Sequence, residues 1–268
     1  MTTDTIVTTE IVERRSRRFD PPYATITLFL IIVFWQFSCA YLGVKKFLLP
    51  APYDIAVDII SNWRYFIPHI IASTTIIVAG FFVSVGIGVP IAVLLSYSRI
   101  LNKSLYPLIV GSQVVPKVAI APLMLAWFGF GMTPKVIIIV LIAFFPIVVN
   151  SVVGLRSTPP QMIYLAQSMG ANLNQIFWRF CLPQALPSML AGMKMAAVLA
   201  VIGAVVSEFV GSDAGLGYVI LAASSSFDIV RQFSAIVLLS VLGLIFFYLI
   251  ERLERMVIPW HISLREEH

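Results

Sequence analysis

The chain has 268 residues, of which 59% are hydrophobic and only 12% charged, and its mean hydropathy of +0.95 is far above that of a soluble domain of this length. Several apolar runs reach the roughly 20 residues that a helix needs to cross a bilayer, so the class is an all-α, multi-pass membrane protein rather than a barrel of short alternating strands. The net charge of +5 would suit a nucleic-acid binder, but the Lys and Arg side chains sit at the ends of the apolar runs with no basic stripe among aromatics; the charge is topological, and no nucleic acid is expected as a partner.

In chain order, residues 1–23 are a polar tail ending in ERRSRRFDPP. The apolar run at 24–44 exceeds the 7–15-residue core usual in a signal peptide, so it reads as an uncleaved first transmembrane helix, and with its outer loop it fills 24–68. Further spans are expected at about 70–97, 105–128, 134–154, 186–210 and 233–251, about six transmembrane helices in all, with a polar tail at 256–268. The third contains Pro107, Pro116 and Pro122 and is expected as one kinked helix packed inside the bundle.

With the N-terminus in the cytoplasm, eleven Lys and Arg fall on inside segments and five on outside segments, while Lys117 and Lys194 fall within spans. Both termini, and the polar insert at 156–185, are therefore expected on the cytoplasmic side.

That insert, quoted over its middle as YLAQSMGANLNQIFWRFCLP, interrupts two apolar runs. Met162, Leu165, Ala166 and Met169 recur at helical spacing, as do Leu173, Ile176, Phe177 and Phe180, which predicts two short helices each with one apolar face. Thr158 with Pro159 and Pro160 is expected to start the first, Gly170 to end it in a left-handed turn, Asn172 to cap the second and Pro183 to stop it. Spacing alone leaves open whether these helices rest on lipid or meet a partner.

The spacing and residues resemble the EAA loop of bacterial ABC importer permeases, E-A-A, three residues, Gly, nine residues, Ile, one residue, Leu-Pro. Here the register is Tyr164, Leu165, Ala166, Gly170, Phe180, Leu182 and Pro183, with Tyr164 in place of the leading acid. The stretches VPKVAIAPLMLAWFGFGMTPK (115–135), FFPIVVNSVVGLRS (144–157) and SEFVGSDAGLGYVI (207–220) are similar to those of the nitrate, sulfonate and taurine branch of that family, and the likeness covers about 69–255. The resemblance implies a type I importer permease core of MetI-like fold at 69–255 in the bacterial inner membrane. It implies that the loop, including Ile176 and Phe177, docks on two cytoplasmic ATPase subunits. It further implies a periplasmic or lipid-anchored solute-binding protein and a second permease copy as partners. No G-x-x-x-x-G-K-[ST] run is present, so ATP and Mg belong to the partner ATPase and this chain binds no cofactor of its own. No catalytic or metal-binding residues are expected.

Gly192, Ala196, Ala200 and Ala204 lie four apart, a small-residue stripe for close helix packing within the chain or at a dimer axis. Lys117, deep in the third span, is a candidate for the translocation path or for a structural pair. Lys194, nearer the cytoplasmic end, is expected to snorkel. Glu208 near the outer end of the fifth span, with Gly215 and Gly217 beyond it, is expected either to border the path or to cap and pair at the interface; the segment after Gly211 reads as a re-entrant element or a plain loop. A secondary transporter is the alternative, but no inverted repeat of interrupted spans is visible. An intramembrane enzyme is disfavoured by histidines confined to His69, His261 and His268.

Overall fold

A computed structural model describes residues 23–41 and 48–259. The two polar tails lie almost entirely outside the described residues, as do the last residues expected in the first span. Among the described residues every regular element is helical, in agreement with the all-α expectation.

Helix α1 (Tyr23–Tyr41) leads to α2 (Pro52–Ser61), a short helix in what reads from sequence as a plain loop. Its start signals are visible in retrospect, Pro52 in the first turn and Asp54 beside the positive helix end. Helix α3 (Trp63–Tyr97) is 35 residues long, beginning well before the expected residue 70. Among the described residues four helices are each long and apolar enough to cross a membrane, and a broken pair makes a fifth if taken as one span. The described apolar part of α1 is shorter than a full crossing, so the expected count of six is reached only if α1 is included.

The broken pair corrects the expectation of one kinked third span. Helix α4 (Arg99–Gly111) begins where the Ser98 hydroxyl accepts the Leu101 N–H, and a 3-10 turn follows over Ser112–Val114. Helix α5 (Lys117–Phe128) then departs at 96°. The physical cause is Pro116, which forces Val115 into extended backbone (φ −65°, ψ 125°) and is itself non-helical at ψ 94°.

Helix α6 (Met132–Arg156) returns through the bundle. Helix α7 (Pro160–Ser168) and the single turn α8 (Leu173–Ile176) build the insert. A π-helical turn at Phe177–Cys181 joins α8 to α9 (Leu182–Gly211), after which come α10 (Leu216–Ser225) and α11 (Ile229–Val257). Pro183 does not stop a helix, contrary to expectation: Leu173–Gly211 runs as one 39-residue helix. A proline inside an α-helix removes an N–H bond and crowds the carbonyl four residues back. The wider turn just before Pro183, in which the Leu182 N–H reaches the Phe177 carbonyl, opens the helix at that place.

At the centre, α6 lies between α3 and α9. The stripe Gly192, Ala196, Ala200 and Ala204 is buried within this one chain, and its alanines join Ile77, Ile139 and Ile147 in the principal core cluster. A Cβ on Gly192 would lie 2.6 Å from the Pro146 carbonyl oxygen and 2.7 Å from the Asn150 Cβ. Backbone contact this close is how apolar helices gain dispersion energy where lipid supplies no hydrophobic drive. Gly192→Leu is accordingly expected to lower the thermal midpoint of the purified protein in detergent, as overpacking by ~1–3 kcal/mol would. Gly86→Leu, with open space at its Cβ, should leave the midpoint in place.

Candidate functional site

The insert folds as a bent loop at one end of the bundle. Pro160 opens α7, with Pro159 rather than Thr158 in the capping position; Thr158 is buried behind it. Gly170 has φ +82°, the left-handed conformation expected of it, and the Ala171 N–H closes the turn on the Ala166 carbonyl at 3.0 Å. Asn172 caps α8 through a reciprocal box: its Oδ1 accepts the Gln175 N–H at 2.9 Å, and Gln175 Oε1 accepts the Asn172 N–H at 3.0 Å. The partner Gln175 was readable from the N-x-x-Q spacing.

The docking set divides by direction. Ala166 and Ile176 are buried and Phe177, Phe180, Leu182 and Pro183 half-buried, so these hold the loop on the bundle. Phe177 packs its ring 5.4 Å from that of Tyr97 at the end of α3, and Arg156 Nη2 donates to the Leu95 carbonyl at 3.0 Å, fastening the root of the loop. Tyr164, Leu165, Met169, Leu173 and Trp178 are each more than 60% exposed, and Gly170 is exposed between them. These apolar side chains point away from the bundle rather than into it. Trp178 was absent from the sequence-based set because it lies off the apolar face formed by Ile176, Phe177 and Phe180.

Lys117 opens α5 at the break, half-buried, with its Nζ 4.4 Å from the ring centroid of Phe145. Phe145 lies near the midpoint of α6, so the lysine stands at mid-height of the bundle on an aromatic face. Lys194 does not simply reach to an interface: its Nζ pairs with Glu254 Oε2 at 2.6 Å and ties α9 to α11.

At the end opposite the loop, Glu208, Gly215 and Gly217 come together, but as an internal junction. Glu208 is 1% exposed. Its Oε1 accepts the Ser73 hydroxyl at 2.7 Å and its Oε2 the Gly217 N–H at 2.6 Å. Of the two roles open to it from sequence, the geometry is that of capping. Gly215, at φ +120°, has no room for a Cβ against the Glu208 carboxyl. The segment after Gly211, open from sequence as a re-entrant element or a plain loop, contains a helix, α10, whose Leu216, Gly217, Val219, Ile220 and Ala223 are buried. Among the described residues no cluster of His, Cys, Asp or Glu could hold a metal ion.

Residues 84–259 match the family described as binding-protein-dependent transport system inner membrane component. The chain belongs to that family. It is 38% identical to the formylaminopyrimidine transport permease protein ThiX of Halalkalibacterium halodurans, over 88% of this chain and 94% of that protein. It is 36% identical to the riboflavin transport system permease protein RibX of Chloroflexus aurantiacus, over 93% and 95% of the respective chains. The fold is similar to that in an inward-facing structure of the MetNI methionine ABC transporter, with a TM-score of 0.62 at 21% identity over 71% of this chain and 95% of that one. This member of the family is thus a membrane-spanning permease subunit of an ABC importer with the MetI-like fold.

Proposed function

We propose that this permease forms, with a second copy of itself, the path of an ATP-driven importer, and that its 160–183 loop docks on a separate ATPase at the cytoplasmic face. One observation carries this reading: the loop's second limb and the core helix α9 are a single helix, Leu173–Gly211, with exposed apolar side chains at its free end. A push on the loop then acts on the centre of the bundle directly. Two ATPase subunits supply ATP and Mg chemistry, one per loop, and a solute-binding protein delivers cargo at the opposite end. The eleven-to-five distribution of Lys and Arg supports cytoplasmic termini and a cytoplasmic loop.

For the cargo, we favour a small polar nitrogen heterocycle of the pyrimidine kind. The two relatives above at 38% and 36% identity are named for a formylaminopyrimidine and for riboflavin. Lys117, half-buried over Phe145 at the break between α4 and α5, offers a cation, which suits a polar ring with acceptor atoms or an anionic group.

Co-expression with the ATPase and the binding protein tests the assembly, and a cysteine at Asn174 tests its orientation. An impermeant thiol reagent added outside intact cells should leave Asn174→Cys unlabelled; strong labelling from outside overturns the topology.

Gly170→Leu should leave the protein in the membrane but reduce ATPase co-purification, because forcing a branched residue into the left-handed turn costs about 1–2 kcal/mol and misaligns α7 against α8. Wild-type uptake with normal co-purification would refute the docking role.

Lys117→Met, assayed as uptake per assembled complex in vesicles, should fall about tenfold, the effect of ~1.4 kcal/mol on a rate, with the thermal midpoint unchanged. Unchanged uptake at unchanged stability removes Lys117 from the path, and a lowered midpoint with proportionate loss makes it structural.

A further inference from the structure

The N-terminus of α10 is satisfied by side chains of two other helices. The first N–H groups of a helix have no partner within it, and a buried helix end must find them elsewhere. Here the Gly215 N–H donates to His69 Nδ1 at 3.1 Å, the Leu216 N–H to Ser73 Oγ at 2.8 Å and the Gly217 N–H to Glu208 Oε2 at 2.6 Å. Ser73 in turn donates to Glu208 Oε1, closing the cluster. His69 and Ser73 are four apart on one face of α3, and the His69 ring lies between those of Tyr65 and Tyr218. Three successive backbone donors are thus held by α3 and α9 together, in a site where the Gly215 and Gly217 backbones approach Glu208 too closely for any side chain.

Glu208 belongs to the same unbroken helix as Leu173 in the docking loop, a contour of about 50 Å at ~1.5 Å per residue. The rest of α10 rests on Phe66 of α3 and Ala235 of α11 through apolar contacts, which permit sliding, whereas the three N–H bonds fix direction and register. We propose that Glu208 is the positioning residue of a latch, completed by Ser73 and His69 of α3, that ties α10 to α9 and α3 as one unit, so that displacement of the docking loop is delivered through α9 to the opposite mouth of the bundle. This rests on the importer reading above. Glu208 touches no cargo in this role; it acts through α10.

The test uses the full complex of permease, ATPase and binding protein in vesicles and reads ATP hydrolysed per solute imported. Glu208→Ala leaves the Gly217 N–H and the Ser73 hydroxyl without their acceptor, so hydrolysis continues while uptake falls, and the ratio should rise about tenfold. Glu208→Gln retains an acceptor for Gly217 and a donor toward Ser73, and should restore the ratio to within about threefold of wild type. A merely structural role would lower hydrolysis and uptake in proportion through loss of complex, leaving the ratio unchanged, and that result overturns the latch. If Glu208→Ala does not assemble, Ser73→Ala carries the same test: a raised ratio supports the latch and an unchanged one overturns it. A wild-type complex whose hydrolysis is not linked to uptake would overturn the importer reading itself, and the latch with it, whereas failure confined to the variants' ratio overturns the latch alone.

Discussion

The fold depends on how closely α9 can lie against α6. At Gly192 the two backbones approach until the Pro146 carbonyl occupies the space a side chain would need, and Ala196, Ala200 and Ala204 continue the seam with no exposed surface. In a bilayer the lipid tails are as apolar as the side chains they would replace, so helix association rests on contact density rather than on exclusion of water. Small residues serve that end because they let whole backbones, not only side-chain tips, come within dispersion range. The same device recurs on α6, where a Cβ on Gly154 would fall 2.8 Å from the Ala185 carbonyl oxygen. A seam made of two such approaches, one near the middle of α6 and one at its loop end, holds α9 in register and direction over much of its length.

Because α9 is held in this way, the proline at its loop end has an unusual consequence. Pro183 in an isolated segment would end a helix, and without a firmly seated α9 beyond it the chain would gain little by continuing. Here the cost is absorbed by the π-turn at Phe177–Cys181, and the helix passes from loop to core unbroken. Pro116 meets no such accommodation. Its neighbour Val115 is exposed and extended, and the chain turns through 96°. Two prolines with the same covalent chemistry therefore give opposite results, one a continuous rod and one a right-angled break, according to what packs beyond them.

That contrast marks how far the sequence could be read. Features set by neighbours in the chain were legible: the left-handed Gly170, the Asn172 cap, the four-residue recurrence of Gly and Ala in α9, and the long apolar runs that became α3, α6, α9 and α11. Each follows from local backbone geometry or from periodicity. Features set by distant residues were not. Ser73 and Glu208 are 135 positions apart, His69 and Gly215 are 146 apart, and nothing in either segment names the other. Glu208 was noticed as an acid near the end of a span without its partners, Lys194 without Glu254, and Lys117 without Phe145. The EAA-like loop stands between these cases, since its turn was written in Gly170 while which of its apolar side chains stay exposed, Trp178 and Leu173 among them, depended on how the loop seats against α3 and α6.

The two polar junctions of α9 have different chemistry because they do different physical work. Near the middle of α9, Lys194 and Glu254 form an ion pair with the acid almost fully buried, a contact between two side chains that fixes α9 to α11 at one point. At the other end, Glu208 accepts the backbone N–H of Gly217, whose position is set by the α10 helix itself. A carboxyl bonded to a helix terminus is constrained in angle as well as distance, and its orientation follows the axis of the element it caps. Along the helix Leu173–Gly211 the side-chain pair thus adds one point of attachment to α11, and the Glu208 carboxyl adds a bond to the backbone of α10.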